Sequence, residues 1–403
     1  MVQRAYERVG QAAGLMGADG SWRSTIFEEI SALANQQGAL NLGQGFPDTD
    51  GPAVMLDAAA EAMRAGANQY ATIAGLPALR EAIAQHQQRF YDLELNPETQ
   101  VLVTAGASEA LASSIGALVE PGEEVILFEP YYDLYPAAVA LTGAHVTTVP
   151  LLPPTFTPNL EALEAAFSER TRLIVVNDPH NPTGTVFSRS VLEKIVALAQ
   201  QYDALILADQ VYEHLYYPGV DFTPIQTVPG AAERTLAVSA ISKTHSLTGW
   251  RVGWVTGPAH LLEAVRPVKG YFSHSAAAPL QVAAATGVAL GDDFYRDFRD
   301  NYTAQRDLLV TGLAGSPWQM MEPSGTFFAI ADVSQVLEAK GFADAQELCA
   351  ALPQLAGVAL IPLTAFVTEG FRPQVASYVR FAFCKKPEVL REAVSRLLAF
   401  TAH

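Results

Sequence analysis

The chain reads SAISKTHSLTGWRVGW from residue 239 to residue 254, and this stretch carries the strongest indication of fold and chemistry. It places Lys243 after a small-residue turn, and Arg251 follows eight positions later. An amine in such a position can form a Schiff base, and a nearby guanidinium can bind a phosphate. Most lysines are solvated surface groups, so Lys243 alone does not indicate a catalytic site. The interpretation is supported by Asn181, Asp209 and Tyr212, which precede it in sequence motifs that suit the same chemistry.

Short β-branched runs alternate with alanine-rich, helix-period stretches through most of the chain. This alternation predicts an α/β fold, in which helical crossovers join the strands of a mostly parallel sheet and cover both its faces. The predicted strands are residues 101–104, 124–128, 145–150, 172–177, 204–208, 235–238 and 251–255, and the helical stretches include 108–119, 159–167 and 188–202. Asn181, Asp209 and Lys243 each follow a predicted strand, so we expect them along one crevice at the carboxyl ends of the strands.

The pattern changes after about residue 300 to a long helical stretch, short strands at 326–331 and 378–383, and a terminal helix from Pro387. We therefore predict a large domain over residues 48–298 and a smaller α+β domain over residues 299–403. Residues 1–47 are expected to pack on the small domain or on a partner subunit.

Composition and charge exclude several classes of protein. The chain has 403 residues, of which 50% are hydrophobic and 17% charged, with a formal net charge of -17. This balance repels nucleic-acid backbones and anionic membrane surfaces, so neither is expected as a partner. Residues 1–20 have no apolar core typical of a signal peptide, and the uncharged stretch 275–291 resembles a packed helix, so we expect a cytoplasmic protein.

Disulfide and metal chemistry are not favoured. Two cysteines, Cys349 and Cys384, lie in apolar surroundings and are expected to be buried and reduced. His180, His245 and His274 are interpreted as structural or exposed residues, since no histidine pair has metal-ligand spacing on a helix. No metal site is therefore predicted.

Two loops after strands offer polar groups. Residues 101–111 have the pattern of a strand, a glycine turn and the start of a helix. This pattern leaves the amides of Ala107, Ser108 and Glu109 free to bind an anion. Taken without the other motifs, it is better interpreted as an ordinary capped connection between a strand and a helix. Residues 177–184, NDPHNPTG, place Asn181 between two prolines. Such a rigid amide suits a phenolic oxygen or a carboxylate, although the segment also fits a simple loop.

Residues 204–212, ALILADQVY, end an apolar strand on Asp209. An aspartate here can simply cap the following segment. In a dry crevice the same carboxylate keeps a pyridine nitrogen protonated, and Tyr212 is three residues further on.

These motifs together resemble the pyridoxal-phosphate aminotransferases of fold type I, class I. The resemblance extends over nearly the whole chain and includes NLGQGFPD at 41–48, NQY at 68–70, EPYY at 129–132 and YVRF at 378–381. NLGQGFPD and TIFEEI at 25–30 are most similar to the subgroup of kynurenine, glutamine and methionine aminotransferases that also act as cysteine-conjugate β-lyases.

The resemblance implies that pyridoxal 5'-phosphate is the cofactor and that Lys243 forms a Schiff base with it. Asp209 pairs with the ring nitrogen, Tyr212 and Asn181 bond the phenolic oxygen, and Tyr132 stacks on the ring. The residues implied to surround the phosphate are Ala107, Ser108, Glu109, Arg251 and Tyr70, the last from the partner subunit of a homodimer. The family often has a serine three residues before the lysine, where this chain has Ala240, so Ser239 or Ser242 is expected to substitute.

The resemblance also implies the substrates, an amino acid and a 2-oxo acid that react in a ping-pong sequence. Arg380 grips the α-carboxylate with the help of Asn181 and the backbone of Gly45. Tyr132, Phe27 and Phe366 form an aromatic pocket unless the two phenylalanines are core residues, so large neutral donors such as methionine, phenylalanine, glutamine or kynurenine are expected. The alternatives are an N-succinyldiaminopimelate-type aminotransferase, a cysteine-conjugate β-lyase and a non-enzymatic cofactor-binding sensor.

Overall fold

The computed structural model describes residues 3–17 and 19–402. Its helices are α1 (Ala5–Ala12), α2 (Ile26–Gln37), α3 (Ala53–Arg64), α4 (Pro77–Tyr91), α5 (Ala107–Leu118), α6 (Leu134–Thr142), α7 (Leu160–Ala166), α8 (Arg189–Gln201), α9 (Ile241–Thr244), α10 (Ala259–Phe272), α11 (Ala278–Val288), α12 (Asp292–Gly312), α13 (Ser334–Lys340), α14 (Ala345–Leu355) and α15 (Pro387–Thr401). Its strands are β1 (Leu40–Asn41), β2 (Val101–Thr104), β3 (Glu124–Glu129), β4 (His145–Leu152), β5 (Thr157–Pro158), β6 (Thr171–Asn177), β7 (Leu205–Asp209), β8 (Thr235–Ala240), β9 (Gly253–Thr256), β10 (Gln319–Met320), β11 (Phe328–Asp332), β12 (Val358–Ala359), β13 (Ile361–Pro362) and β14 (Tyr378–Ala382).

The central sheet has eight strands in the order β2-β9-β8-β7-β6-β3-β4-β5. Strands β8, β7, β6, β3 and β4 run parallel, which confirms the predicted mostly parallel α/β sheet. Strand β9 runs antiparallel to both its neighbours, and β5 runs antiparallel to β4. Asn177 and Asp209 are register partners at the ends of β6 and β7, so polar side chains meet at this edge.

Alternate residues of the parallel strands enter different hydrophobic cores. On β6, Ile174 and Val176 belong to the core that continues into the C-terminal region, whereas Leu173 and Val175 belong to the core on the other face. A strand buried on both faces is selected for continuous apolar residues, which explains why its sequence reads as an unbroken β-branched run.

The C-terminal region has its own antiparallel sheet, in the order β10-β11-β14-β13. Helices α12 and α15 pack together beside it. The predicted division at residues 298 and 299 falls inside α12, so a continuous helix links the two regions. The division into domains stays a prediction.

The N-terminal segment contacts both regions. Strand β1 pairs with β12, and α2 packs on α14, both in the C-terminal region. Helix α1 packs on α6, beside the central sheet. Arg8 donates from Nε to the carbonyl of Ala140 at 2.9 Å, and a cation is stabilised at a helix C-terminus because the last carbonyls have no intrahelical partner.

Both cysteines are free and buried, as predicted. In the part of the chain that the structure describes, we find no helix with the length and apolar character needed to cross a membrane.

Candidate active site

A cavity lies where β6, β7 and β8 end and α5 begins. Its lining consists of Ala107, Ser108, Leu111, Tyr132, Tyr135, Asn177, Asn181, Asp209, Val211, Tyr212, Ser242, Lys243, Thr248 and Arg251. Every residue predicted to bind the cofactor is in this lining except Tyr70 and Glu109. The structure thus brings together side chains that are separated by more than a hundred positions in the sequence.

Asp209 is the last residue of β7, and its carboxyl group is buried. The hydroxyl of Tyr135 donates to Oδ2 at 2.6 Å, and the backbone amide of Val211 donates to Oδ1 at 3.3 Å. Burial raises the pKa of Asp209, whereas these hydrogen bonds and the nearby Lys243 oppose the rise. A desolvated carboxylate interacts strongly with a cationic partner, so this position suits a protonated ring nitrogen.

Lys243 lies in the short helix α9, directly after β8. Its Nζ donates to the carbonyl oxygen of Gly45 at 3.3 Å and lies 5.7 Å from the centroid of the Tyr212 ring. Burial lowers the pKa of Lys243 to about 8. A sizeable fraction of the amine is therefore neutral near physiological pH and can attack an aldehyde.

The start of α5 and the neighbouring Arg251 offer groups that can bind an anion, and we call them the anion cradle. The first amides of this helix have no intrahelical acceptor, and Arg251 lies beside them, with Nη2 donating to the hydroxyl of Ser108 at 3.3 Å. Gly106 precedes the helix with a φ of +80°, and a Cβ there would lie 2.4 Å from Arg251 Nη2. The glycine therefore permits the close approach of the guanidinium to the helix start.

Ser239 and Ser242, the two candidates to replace the serine that the family often has at position 240, have different surroundings. Ser239 is buried, and its hydroxyl donates to the carboxylate of Glu213, away from the cavity. Ser242 lines the cavity, and its buried Oγ has no hydrogen-bond partner among the described residues. Of these two serines, Ser242 is the one that lines the cavity with a free hydroxyl.

Arg380 lies beside the cavity and forms a hydrogen bond with the lining residue Asn181. Arg380 is buried on β14 and donates from Nη1 to Asn181 Oδ1 at 3.0 Å and from Nη2 to the carbonyl of Gly43 at 2.8 Å. Burial lowers the pKa of Arg380 to about 10, so the guanidinium stays charged at neutral pH. The carbonyl that Arg380 contacts belongs to Gly43, whereas the carbonyl of Gly45 contacts Lys243.

Aromatic rings surround the Arg380 guanidinium. The centroids of Phe328, Phe366 and Phe27 lie 4.0, 4.5 and 5.9 Å from its central carbon. Phe27 and Phe366 also contact each other edge to face at 5.3 Å. Phe366 is also buried in the main hydrophobic core. It is therefore both a core residue and part of the aromatic wall beside Arg380.

Tyr70 and Glu109 lie outside the cavity lining. Tyr70 is 87% exposed and contacts the ring of His274. Glu109 uses its carboxylate to accept a hydrogen bond from the amide of Ala105 at 2.6 Å, so only its backbone amide remains available for an anion.

His180 is buried and bonded to Thr183, in line with a structural histidine.

Several lining residues were not predicted from the sequence, notably Tyr135, Asn177 and Thr248. Asn177 Oδ1 accepts a hydrogen bond from the Asn181 amide at 2.8 Å and thereby fixes the loop. Tyr135 lies in the apolar helix α6, and only its hydrogen bond to Asp209 distinguishes it from an ordinary core tyrosine.

The residues present fit pyridoxal 5'-phosphate. Its aldehyde requires a neutral amine, its ring nitrogen a carboxylate and its phosphate a helix start with a guanidinium, and Lys243, Asp209 and the cradle with Arg251 provide these groups around one cavity. The unpartnered hydroxyl of Ser242 adds a free donor to the cavity lining.

Comparison with known proteins gives the same result over most of the chain. Residues 37–397 match the family described as Aminotransferase class I and II. The probable N-succinyldiaminopimelate aminotransferase of Mycobacterium tuberculosis H37Rv is 43% identical over 93% of this chain and 96% of the relative, and the methionine aminotransferase of Escherichia coli K12 is 39% identical over 93% and 95%. The solved structure of N-succinyldiaminopimelate aminotransferase from M. tuberculosis superposes with a TM-score of 0.89, covering 94% of this chain and 97% of that one.

Proposed function

The chain belongs to the class I and II aminotransferases, enzymes that use pyridoxal 5'-phosphate, and we propose that it transfers the amino group of a large neutral or aromatic L-amino acid to a 2-oxo acid. Donors of the methionine, phenylalanine, glutamine and kynurenine type fit this description. Both half-reactions use one site, which gives ping-pong kinetics.

Four side chains hold the cofactor ring in this proposal. Asp209 keeps the ring nitrogen protonated, Tyr212 and Asn181 donate to the phenolic oxygen, and Tyr132 stacks on the ring. The bound cofactor supplies an electron sink for the charge that develops at the substrate α-carbon. Asp209 makes this sink effective because its buried carboxylate stabilises the cationic ring.

The phosphate end is held by the start of α5, through the amides of Ala107, Ser108 and Glu109, and by Arg251. Ser242 takes the place of the serine that the family often has at the position of Ala240. Its unpartnered, buried hydroxyl supports this role, whereas the Ser239 hydroxyl is already bonded to Glu213.

Lys243 moves the proton. As a neutral amine, it would accept the proton of the substrate α-carbon and hold it within the cavity, and the bound cofactor would supply the electron sink that makes this proton acidic. The low pKa of Lys243 supports this role, because a base with a pKa near the working pH is present in its neutral form.

Arg380 binds the substrate α-carboxylate with two parallel hydrogen bonds, and Asn181 orients the guanidinium. The single observation that carries the side-chain preference is the group of rings around this anchor, Phe27, Phe328 and Phe366. A side chain next to an aromatic wall gains free energy by burying apolar surface, whereas a second carboxylate there loses hydration without a cationic partner.

A panel of amino donors with 2-oxoglutarate as acceptor tests this proposal. We expect kcat/KM for phenylalanine and methionine to exceed that for aspartate by at least about tenfold, the factor that corresponds to burying part of one apolar side chain. The variant Phe366→Leu should reduce kcat/KM for phenylalanine more than for alanine, which does not reach the ring. Aspartate as the best donor would refute the proposal.

N-succinyldiaminopimelate is a second candidate substrate, because the mycobacterial relative of that name shares 43% identity with the chain. Its distal carboxylates need cations. Among the described residues, the guanidinium groups of the cavity and its aromatic wall are Arg251 and Arg380, and both already have roles. A kcat/KM for this substrate at least about tenfold above that for phenylalanine would favour the biosynthetic function instead.

We further propose that the enzyme is a homodimer in which Tyr70 contacts the partner's cofactor phosphate. Tyr70 is exposed, and Tyr271 and Phe272, from the neighbouring end of α10, are 93% and 58% exposed. Lys269 ties this helix end to the Tyr70 loop by donating to the carbonyl of Ile73 at 2.9 Å. Large exposed aromatic residues that share one face are typical of a subunit interface.

A further inference from the structure

A buried polar cluster lies behind the cofactor cavity, between α4 and the segment that follows β7. His86 comes from α4, whereas Glu213 and His214 directly follow the cavity residue Tyr212, and all three are at most 5% exposed. One potential ligand atom from each of these residues lies within 4.8 Å of the other two. The cavity residues described above do not include any of the three.

The two imidazole nitrogens lie close to the separation that a shared metal ion requires. His86 Nε2 and His214 Nε2 are 2.7 Å apart. Ligand atoms about 2.0–2.1 Å from a tetrahedral zinc ion are about 3.3 Å apart, so the two rings need to separate by only about 0.6 Å.

Buried polar groups surround the same place. The Glu213 Oε1 atom accepts from Ser239, which holds the carboxylate in position. Tyr91 and Gln87 contact this carboxylate, but Glu213 Oε2, Gln87 Oε1 and the Tyr91 hydroxyl have no well-aligned hydrogen bond among the described residues. Buried oxygens normally pair fully, so this incomplete pairing leaves room for one more partner.

We propose that His86, Glu213 and His214 bind one divalent transition-metal ion of the zinc class. Two neutral imidazoles and one carboxylate are a ligand set that zinc takes in proteins. Binding at His86 Nε2 moves the ring proton to Nδ1, which now faces the Gln87 amide at 3.3 Å. Rotating that amide turns the orphan Oε1 into the acceptor for Nδ1–H, a typical outer partner of a metal-bound histidine.

This ion would connect α4 to the segment that carries Asp209 and Tyr212. The proposal departs from the sequence-based expectation of no metal. That expectation considered histidine pairs on one helix, whereas these ligands come from positions 127 residues apart. The competing interpretation is a hydrogen bond between two neutral histidines that binds no ion.

Cobalt binding to the tag-free holoenzyme distinguishes the two interpretations. The protein is treated with a chelator, titrated with CoCl2, passed through a desalting column and analysed for metal. We expect one Co²⁺ per chain, visible d–d absorption to the red of the cofactor band, and displacement by ZnCl2. The variants His86→Gln and Glu213→Gln should each weaken Co²⁺ binding at least tenfold, whereas His260→Gln, on the exposed surface of α10, should bind like the wild type.

Glu213→Gln preserves an oxygen that accepts from Ser239, so it removes the charged ligand with little change in packing. Should either variant fail to fold, X-ray absorption of the zinc-loaded wild type decides, because two bound imidazoles give a characteristic multiple-scattering signal. A wild type that retains no Co²⁺, retention that is equal in His86→Gln, or a zinc spectrum without imidazole scattering would overturn the proposal.

Discussion

Burial shifts the proton affinities of the central amine and acid of the cavity in opposite directions. It lowers the pKa of Lys243 and raises that of Asp209, because each loses hydration of its charged form. The hydrogen bond from Tyr135 limits the change at Asp209. At the residue scale, desolvation therefore sets the direction of each pKa shift, and hydrogen bonds from neighbouring groups limit its size.

Lys243 should react with an acylating reagent at lower pH than an ordinary lysine. Only the neutral amine reacts, and burial places the pKa of Lys243 at about 8. Competitive acetylation of the cofactor-free protein, read by peptide mass spectrometry with exposed Lys386 as the reference peptide, should show reactivity that falls as pH drops through about 8 and is level above it. A midpoint near the usual lysine pKa of about 10.4 would contradict the burial argument.

Tyr135→Phe should lower kcat/KM by about tenfold, because a hydrogen bond to a charged group contributes roughly 1.5–3 kcal/mol and part of it supports the ionised Asp209 during turnover. The pKa of Asp209 should rise further when this donor is lost. Steady-state kinetics with phenylalanine and the affinity for pyridoxal phosphate provide the measurement. Tyr131→Phe, a buried neighbour on the same segment, is the control and should leave both values near wild type; equal effects of the two changes would remove Tyr135 from the mechanism.

Residues with a chemical signature were predictable, and those that act through other residues were less so. Lys243, Asp209, Asn181 and Arg251 stand in motifs with unusual neighbours, and the structure places all four in the lining of one cavity. Tyr135 is an ordinary tyrosine in an apolar helix, and only its partner across 74 positions gives it a role.

At the scale of elements, the parallel strands were predictable because burial on both faces forces continuous apolar runs. All seven predicted strands are present, most with ends shifted by one or two residues. The reversed direction of β9 was not predictable, since the sequence of a buried strand carries no sign of its orientation. Strands β1, β12 and β13 contain two residues each and give no periodic signal.

The turn from β2 into α5 offers a test at this scale. In Gly106→Ala the new Cβ would lie 2.4 Å from Arg251 Nη2, so the guanidinium must leave the anion cradle. We expect affinity for pyridoxal phosphate to fall by at least about tenfold, because this factor corresponds to roughly the lower end of the free energy that a hydrogen bond to a charged group contributes. Equilibrium dialysis of the cofactor provides the measurement.

Gly122→Ala is the matched control for the turn. Gly122 also has a positive φ, of +88°, but open space surrounds its Cβ position. Both variants should lose roughly 1–2 kcal/mol of unfolding free energy through backbone strain, and only Gly106→Ala should lose cofactor affinity. Equal losses of affinity would show that strain, and not the displacement of Arg251, is the cause.

For the whole molecule, a continuous chain of contacts joins the two regions around the cavity. Lys243, from the central sheet, contacts Gly45, and Arg380, from the C-terminal sheet, contacts both Asn181 and Gly43. The segment between β1 and α3 thus touches both regions where cofactor and substrate are proposed to meet. These contacts cannot be predicted from the order of elements in the sequence, because they depend on how the two sheets face each other.

The proposed dimer predicts that two inactive variants restore activity when they share a dimer. Lys243→Ala should lack turnover, and Tyr70→Ala should have a strongly reduced turnover through loss of a phosphate contact. In a hybrid, one site combines the intact Lys243 of one chain with the intact Tyr70 of the other, and the second site lacks both. Random pairing makes half of the dimers hybrids with one intact site each, so co-expressed variants should reach about one quarter of wild-type specific activity. Mixing the separately purified homodimers without subunit exchange is the control, and activity that stays at the average of the two parents after co-expression would place Tyr70 in its own chain's site or outside any site.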